Sequence, residues 1–342
     1  IQPVDETYRF LSILPMAHTY ENTLGLLLPL MFGAQVYYLD RVPTPKLLVP
    51  AMQKIRPTVV LSVPLIIEKI YKSQVLPKFT SSKLMSKLYQ FAPARKLFNR
   101  LAGKKLMETF GGELKFFGIG GSKLDGTVEQ FLREAKFPYA IGYGLTETAP
   151  MAAGSNPSQT FLQGVGPVME GVQIKINDPD KSGQGEIWIK GPNVMKGYYK
   201  RPELTAETFT EDGWFKTGDL GSFDKKNRLA IRGRIKTMIL GASGENIYPE
   251  EIESIINNFR FVNESLVVEN SGKLVAMVHF NMEELEKQYQ KLKDQAGNYK
   301  EKINDYIEEQ KQELRDYVNA RVNNFSKLQL VLVQHEPFEK TP

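Results

Sequence analysis

Hydrophobic runs and helical repeats alternate along the first part of the chain. Five apolar runs have the length of buried strands, and they lie at residues 7–14, 35–39, 59–63, 114–119 and 137–141. Segments with the apolar spacing of helices separate these runs, at residues 23–32, 44–54, 64–71, 78–105 and 126–134. Strands that alternate with helices favour a parallel sheet with helices on both faces. The pattern therefore predicts an α/β lobe over residues 1–165.

The pattern changes after Pro150. Glycines and prolines break the chain into short pieces, and polar turns join apolar strands at residues 172–176, 186–189 and 228–231. We interpret residues 166–232 as a small β-barrel subdomain or a distorted sheet, with Trp214 packed in its interior.

The last part of the chain mixes strands with a long charged stretch. Residues 233–342 contain a predicted helix that begins at Pro249, two strands, a charged helical region and a final strand. Gly297 and Asn298 are placed to divide the charged region into two helices. These features predict an α+β cap domain with a helical insertion, rather than a coiled coil, because the heptads are short and irregular.

Composition narrows the possible chemistry. The 342 residues contain no cysteine, which excludes disulfides, thiolate catalysis and cysteine-based zinc sites. With three histidines, a His-rich metal site is not expected. The longest apolar stretch, residues 24–32, is too short to cross a bilayer. We expect a cytoplasmic protein with no nucleic-acid partner.

A basic segment over residues 78–105 carries no acidic residue. Its basic side chains are Lys78, Lys83, Lys87, Arg95, Lys96, Arg100, Lys104 and Lys105. Leucines and phenylalanines recur there at helical spacing, which predicts two short amphipathic helices. One interpretation is a solvated helical face, and the other is an interfacial helix drawn to anionic lipid. The second would give peripheral contact with the inner face of the membrane.

The stretch IGYGLTETAP follows the last of the predicted strands, where open α/β sheets bind ligands. Gly142 and Gly144 allow the backbone to turn sharply and to approach a ligand. Tyr143 can stack on a flat base, and Thr146 can bond a phosphate oxygen. Glu147 is a hard oxygen ligand for Mg²⁺. These residues suit a magnesium-bound nucleotide, whereas the alternative is an ordinary strand-to-helix turn with a chance glycine pair.

Three further motifs accompany this stretch. LPMAH ends at His18, GWFKTGD ends at Asp219, and RGRIK runs from Arg232 to Lys236. Together and in this order, the motifs resemble those of adenylate-forming enzymes, a group that includes acyl-CoA synthetases, luciferases and peptide-synthetase adenylation domains. The sequences of these motifs are most similar to those of a bacterial long-chain fatty-acid–CoA ligase. The fold that this resemblance implies is that of acetyl-CoA synthetase.

The resemblance implies roles for individual residues. Asp219, expected in a Thr-Gly-Asp turn, would accept both ribose hydroxyls, although a capping role is the alternative. Arg234 would contact the ribose and phosphate side of the adenylate, and Lys236 would serve after the cap rotates. His18 and Gly142 would lie near the acyl substrate.

The resemblance also assigns the glycine-rich turns. Gly120, Gly121 and Ser122 would line the adenine and acyl pocket. Gly233 would give RGRIK the torsional freedom of a hinge, although many relatives carry a charged residue there. The loop at residues 241–246 would border the tunnel for the pantetheine arm of coenzyme A.

The implied reaction has two steps. A fatty carboxylate attacks the α-phosphate of ATP with the help of Mg²⁺, and the thiol of coenzyme A then displaces AMP from the acyl-adenylate. An adenylation enzyme for another acid, or a non-catalytic nucleotide-binding module, remains an alternative. The family's phosphate-holding loop and terminal lysine are not within these 342 residues. We therefore expect a fragment that binds AMP or an adenylate at most and does not turn over.

Overall fold

The computed structural model describes residues 3–41, 43–80, 82–241, 245–292 and 299–339. The chain forms two compact units, one over residues 1–231 and the other over residues 232–342. Each unit has a hydrophobic core of its own. None of the described helices combines the length and the apolar character needed to cross a bilayer.

A six-stranded sheet forms the centre of the first unit, in the order β2-β1-β3-β4-β5-β6. The strands are β1 (Arg9–Ser12), β2 (Gln35–Tyr38), β3 (Val59–Ser62), β4 (Phe116–Ile119), β5 (Tyr139–Gly144) and β6 (Met151–Gly154). Strands β1 to β5 pair in parallel, whereas β6 pairs with β5 in the antiparallel direction. The predicted α/β class is confirmed, and β6 is an addition that the apolar pattern did not predict.

Helices connect the parallel strands. They are α1 (Thr19–Glu21), α2 (Leu28–Met31), α3 (Pro45–Ile55), α4 (Pro64–Ile70), α5 (Leu76–Thr80), α6 (Lys83–Gln90), α7 (Ala92–Thr109) and α8 (Gly126–Glu134). π-Helical segments at Asn22–Leu27 and Tyr71–Val75 join α1 to α2 and α4 to α5. Pro29 therefore lies in the first turn of α2, which follows the π-helical segment, and it does not end the helix. A proline is tolerated there because its missing amide hydrogen is not needed in the first turn.

Successive strand residues enter different cores, as the two-residue period of a strand requires. Val60 and Phe117 belong to the large cluster that also contains Phe131 of α8. Val59 and Leu61 belong to a smaller cluster with buried Tyr8 and Phe10, and Tyr20 of α1 packs against it. Helices therefore cover both faces of the sheet, as predicted.

A second sheet in the first unit follows β6. Its strands are β7 (Gln173–Asn177), β8 (Gly185–Lys190), β9 (Phe215–Phe223) and β10 (Leu229–Arg234), and α9 (Pro202–Thr208) lies between β8 and β9. The order is β10-β9-β8-β7, with antiparallel pairing of β7 to β8 and of β8 to β9. With β7 and β10 at its two ends, the sheet corresponds to the open alternative and not to a closed barrel.

The interior of this second sheet is filled by Phe215, not by Trp214. Phe215 is buried with Ile187 and Ile189, whereas Trp214 is half-buried beside the ammonium group of Lys175. The prediction for Trp214 is wrong because alternate residues of a strand point to opposite faces, and the ring lies just outside the start of β9.

The second unit is an α+β unit. Its elements are β11 (Ile239–Leu240), β12 (Asn246–Ile247), α10 (Pro249–Ile256), β13 (Val262–Asn270), β14 (Lys273–Phe280), α11 (Met282–Leu292), α12 (Tyr299–Asn319) and β15 (Leu330–Val333). A three-stranded sheet in the order β13-β14-β15 carries the core, and β11 pairs with β12 alone. The charged helices belong to this core through Leu285 of α11 and through Leu314 and Val318 of α12.

Two predicted features fall on undescribed positions. The division at Gly297 and Asn298 lies outside the described residues, as do residues 242–244 of the loop expected near the pantetheine tunnel.

Candidate nucleotide-binding site

The turn after β5 begins later than the sequence predicts. Gly142, Tyr143 and Gly144 belong to β5 and pair with β6, so the backbone does not turn at the glycines. The turn is made instead by a 3₁₀ segment at Thr146–Thr148 and by Ala149, whose φ is 52°. The expectation of a turn at Gly142 to Gly144 is therefore wrong.

Gly144 is required for close approach instead. A Cβ built on it would lie 1.6 Å from the carbonyl oxygen of Pro150, where no side chain can fit. A Cβ on Gly142 would lie 3.6 Å from Cε of Met151, which is ordinary contact. The two glycines therefore serve different purposes, although they look equivalent in the sequence.

Thr148 makes this turn rigid. Its side chain is fully buried, and its hydroxyl accepts a hydrogen bond from the Leu145 amide at 2.9 Å. The same hydroxyl donates to the carbonyl oxygen of Pro150 at 2.6 Å. A buried hydroxyl that bridges both ends of a turn restrains the backbone that carries Thr146 and Glu147.

Thr146 and Glu147 are the accessible residues of the turn. Thr146 is exposed and Glu147 is half-buried. The phenol of Tyr198 donates a hydrogen bond to Oε1 of Glu147 at 2.9 Å. Burial, and in second place the Glu147 carboxylate, raise the pKa of Tyr198. The predicted metal ligand is thus an accessible carboxylate whose orientation is set by a neighbouring ring.

Asp219 lies within β9, directly after Gly218, whose φ is 70°, so the Thr-Gly-Asp sequence forms a bulge in a strand and not a separate turn. The carboxylate is 5% exposed, and its Oδ2 accepts a hydrogen bond from the Tyr143 phenol at 2.8 Å. The amide of Asp219 donates to Oγ1 of Thr217 at 3.0 Å. The structure therefore brings together the side chains proposed for the base and for the ribose.

The turn at Gly120 to Ser122 follows β4, the neighbour of β5 in the sheet. Gly120 faces the ring of Tyr20, from which an added Cβ would be 3.4 Å away. Gly121 has a φ of 90°, a conformation that favours glycine, and Ser122 is exposed. These residues and the Glu147 turn share the carboxyl edge of the sheet, because β4 and β5 are parallel.

His18 has a structural function in the described chain. It follows β1, is exposed, and its Nδ1 accepts a hydrogen bond from the Tyr20 amide at 3.2 Å, which caps α1. The carboxyl end of β1 lies at the same edge of the sheet as those of β4 and β5.

Arg234 and Lys236 belong to the second unit. Arg234 is the exposed last residue of β10, and Lys236 is exposed in the following turn. Gly233 lies in the same strand, where a Cβ would be 3.0 Å from the Tyr248 ring. A side chain at this position would therefore be crowded by the Tyr248 ring, and the hinge role of Gly233 stays a prediction.

No local pattern in the sequence marks Asn193 and Tyr198 as neighbours of the Glu147 turn. Asn193 donates to carbonyl oxygens of that turn, and Tyr198 is separated from Glu147 by 51 positions. Tyr198 follows Gly197 in the sequence KGYYK. A glycine followed by two aromatic residues was the one signal in the sequence that could have drawn attention to this loop.

The chain is similar in sequence to proteins of known activity. Residues 1–199 match the model of the AMP-binding enzyme family. A palmitoyl-CoA ligase of Gibberella moniliformis is 31% identical over 295 residues, which cover 77% of this chain and 43% of that protein. Long-chain-fatty-acid–CoA ligase 1 of Saccharomyces cerevisiae is 31% identical over 297 residues, which cover 79% and 42%.

The likeness extends to solved structures. O-succinylbenzoate coenzyme A synthetase of Bacillus subtilis, in complex with AMP, shares the fold with a TM-score of 0.70 and 23% identity, over 98% of this chain and 59% of that one. The chain spans about half the length of the curated relatives it matches. The resemblance that the motifs carry is confirmed: the chain belongs to the family of AMP-binding enzymes.

Proposed function

We propose that the full-length gene product is an acid–thiol ligase that activates a long-chain fatty acid with ATP. It forms an acyl-adenylate first and the thioester with coenzyme A second. The observation that supports this most strongly is the hydrogen bond between Tyr143 and Asp219 beside the Glu147 turn. The names of the relatives, a palmitoyl-CoA ligase among them, favour a fatty acid as the carboxylate.

The nucleotide would occupy the carboxyl edge of the six-stranded sheet. The ring of Tyr143 would stack on the adenine, because the hydroxyl of Tyr143 is already hydrogen-bonded to Asp219. A carboxylate has about four acceptor positions, so Asp219 can hold Tyr143 and still accept from a ribose hydroxyl. Thr146, exposed on the rigid turn, would bond a phosphate oxygen.

Glu147 fits a magnesium ion that arrives with ATP. Mg²⁺ is bound by one or two carboxylates together with substrate phosphates, and Glu147 offers one accessible carboxylate. Within the described ranges, no three side chains of His, Cys, Asp or Glu form a metal cluster. When bound, the ion would offset charge on the phosphates in the adenylation step.

The remaining predicted residues would complete the site. Gly120, Gly121, Ser122 and Gly142 would border the adenine and the acyl chain, with His18 nearby. We propose three domains: an α/β lobe over residues 1–165, a small subdomain over residues 166–232, and a mobile cap over residues 233–342. Arg234 would face the ribose and phosphate, and Lys236 would act after cap rotation, when the loop at 241–246 guides coenzyme A.

ATP–pyrophosphate exchange on the full-length gene product tests this proposal across a panel of carboxylic acids. Exchange that depends on long-chain fatty acids and falls in Glu147→Gln is the expected result. Exchange with aromatic or amino acids alone would show that the enzyme activates another class of carboxylic acid. ATP binding without exchange for any acid would contradict the ligase and favour a non-catalytic nucleotide-binding module.

We also propose a peripheral contact with an anionic membrane surface at the cytoplasmic side, through α6 and α7. Large apolar side chains are exposed there, namely Leu84, Leu88, Phe91, Leu97 and Leu101. Basic side chains accompany them at Lys87, Lys96, Arg100, Lys104 and Lys105. Arg95 is excluded from this set because Glu134 pairs with it at 2.9 Å. Apolar anchors beside exposed cations suit the interface of an anionic bilayer.

Co-sedimentation with vesicles of phosphatidylglycerol and phosphatidylcholine tests the membrane contact. We expect binding at low salt that requires the anionic lipid and is lost in Leu97→Ser/Leu101→Ser. The matched control is Leu162→Ser, which removes an exposed leucine outside the segment. Absence of binding at low salt, or equal loss in the control, would contradict the contact.

A further inference from the structure

We infer that Tyr198 is a positioning residue, which holds the Glu147 carboxylate in the orientation that a nucleotide-bound divalent cation requires. The inference rests on the proposed function, in which Glu147 is the cation ligand. It adds to the site a loop over residues 191–201, which lies between β8 and α9.

The loop holds the Glu147 turn by its backbone. Nδ2 of Asn193 donates to the carbonyl oxygens of Thr148 and Met151, at 2.8 and 2.9 Å. The amide of Met195 donates to the carbonyl oxygen of Glu147 at 2.8 Å. Because these bonds and the buried Thr148 hydroxyl fix the backbone, the side-chain torsions are the main freedom left to Glu147.

Tyr198 restricts those torsions from an anchored position. Its phenol donates to Oε1 of Glu147 at 2.9 Å, and its own amide donates to Oγ1 of Thr205 in α9 at 2.9 Å. Gly197, with a φ of 145°, allows this close approach, since a Cβ would lie 2.6 Å from Cγ2 of Thr205. The backbone of Tyr198 is therefore anchored to α9, and the phenol reaches the Glu147 carboxylate from that anchored position.

The chemistry of the cation explains why such order matters. Mg²⁺ demands nearly ideal octahedral geometry, and ordering a free glutamate side chain opposes binding through lost rotamer entropy. A bond from Tyr198 occupies part of the acceptor capacity of Oε1 and leaves the carboxylate able to bind a cation. The opposite role is competition, in which the phenol must leave before the cation binds. The two roles predict opposite effects when the hydroxyl is removed.

The chain supplies a matched control next to Tyr198. Tyr199 is 86% exposed, against 37% for Tyr198, so Tyr199→Phe removes a phenol of the same loop without removing the contact to Glu147. Calorimetric titration of the full-length gene product with ATP, in EDTA and then in Mg²⁺, separates nucleotide affinity from its dependence on the cation. We expect Tyr198→Phe to reduce the gain in ATP affinity due to Mg²⁺ by roughly tenfold. Affinity in EDTA and the unfolding midpoint should stay at wild-type values, and Tyr199→Phe should match wild type throughout.

Other results would overturn the inference. An unchanged or larger effect of Mg²⁺ in Tyr198→Phe would show that the phenol is neutral or competes with the cation. Equal losses in EDTA and in Mg²⁺, with a lower unfolding midpoint, would assign Tyr198 a purely structural role. A wild-type full-length protein that binds no ATP under either condition would instead contradict the proposed nucleotide site itself.

Discussion

The Tyr143 hydroxyl donates a hydrogen bond to Oδ2 of Asp219 across 2.8 Å, and this bond joins the last strand of the parallel set to the four-stranded sheet. Asp219 is nearly inaccessible, and Tyr143 already occupies its Oδ2, so the proposed ribose contact would be made next to this phenol. Base stacking and ribose recognition are therefore expected to depend on the same pair of side chains.

Asp219→Ala should remove discrimination between AMP and its 2′,3′-dideoxy analogue. Hydrogen bonds to a charged group contribute about 1.5–3 kcal/mol, so the wild-type chain should prefer AMP by roughly 10- to 100-fold. Titration calorimetry with both ligands measures the preference before and after the substitution. Tyr143→Phe, which keeps the ring, should retain most of it. A preference that survives in Asp219→Ala would show that the ribose is bound elsewhere.

Gly144→Ala should destabilise the first unit by about 1–3 kcal/mol, because the added methyl group would overlap the Pro150 carbonyl. Gly142→Ala is the control and should be close to neutral. Urea unfolding followed by tryptophan fluorescence measures both, since Trp188 and Trp214 are the chain's two tryptophans and both lie in this unit. Equal free energies of unfolding for the two variants would contradict the steric assignment of Gly144.

Thr148→Val should cost about 1–3 kcal/mol of stability, because it leaves the Leu145 amide and the Pro150 carbonyl without their buried partner. Thr148→Ser should restore most of this loss. The exposed neighbour Thr146, changed to Val, should alter the free energy of unfolding by no more than about 0.5 kcal/mol. Fluorescence-monitored unfolding again provides the values, and an equal cost at both positions would argue against a locked turn.

Glu21 should make the first unit less stable as the pH rises. The side chain is buried, and its Oε2 has no hydrogen-bond partner among the described residues. Burial raises the pKa of this carboxyl, and a hydrogen bond from Ser12 opposes the effect only in part. A raised pKa stabilises the fold fully below the unfolded value of about 4.3, and this contribution is lost as pH rises through the folded value.

Glu21→Gln removes the titration and keeps the shape of the side chain. Its advantage in free energy of unfolding over the wild type should therefore grow as the pH rises above the unfolded value of about 4.3, and it should become constant above the folded pKa. The exposed Glu170, changed to Gln, is the control and should show no such trend. A difference for Glu21→Gln that stays constant across this range would mean that Glu21 ionises as easily in the folded chain as in the unfolded one.

Elements with strong local signals could be predicted from the sequence. The helix at residues 126–134 begins and ends as predicted, because Asp125 caps it by accepting from the amides of Thr127 and Val128. The buried strand at Val59–Ser62 follows from a short run of β-branched and leucine side chains. In both cases the interactions that determine the element join residues that are close together in the sequence.

Other features depend on partners that are distant in the sequence. Asp219 is in a strand although it follows a Thr-Gly pair, because β8 pairs with β9 on both sides of it, at Lys216 and at Leu220. The Gly-Tyr-Gly sequence is extended because β6 pairs with it. Tyr198 could not be connected to Glu147, since only the folded loop brings them together. The backbone conformations at these motifs thus depend on pairings that the local sequence does not encode.

The glycines around Tyr20 limit where this edge of the sheet could be redesigned. A Cβ on Gly118 would lie 2.7 Å from the Tyr20 hydroxyl, and Gly120 faces the same ring. The φ of Gly121 disfavours other residues as well. Ser122, exposed and beyond these constraints, is therefore the first position after β4 at which a library could vary ligand preference without disturbing the scaffold.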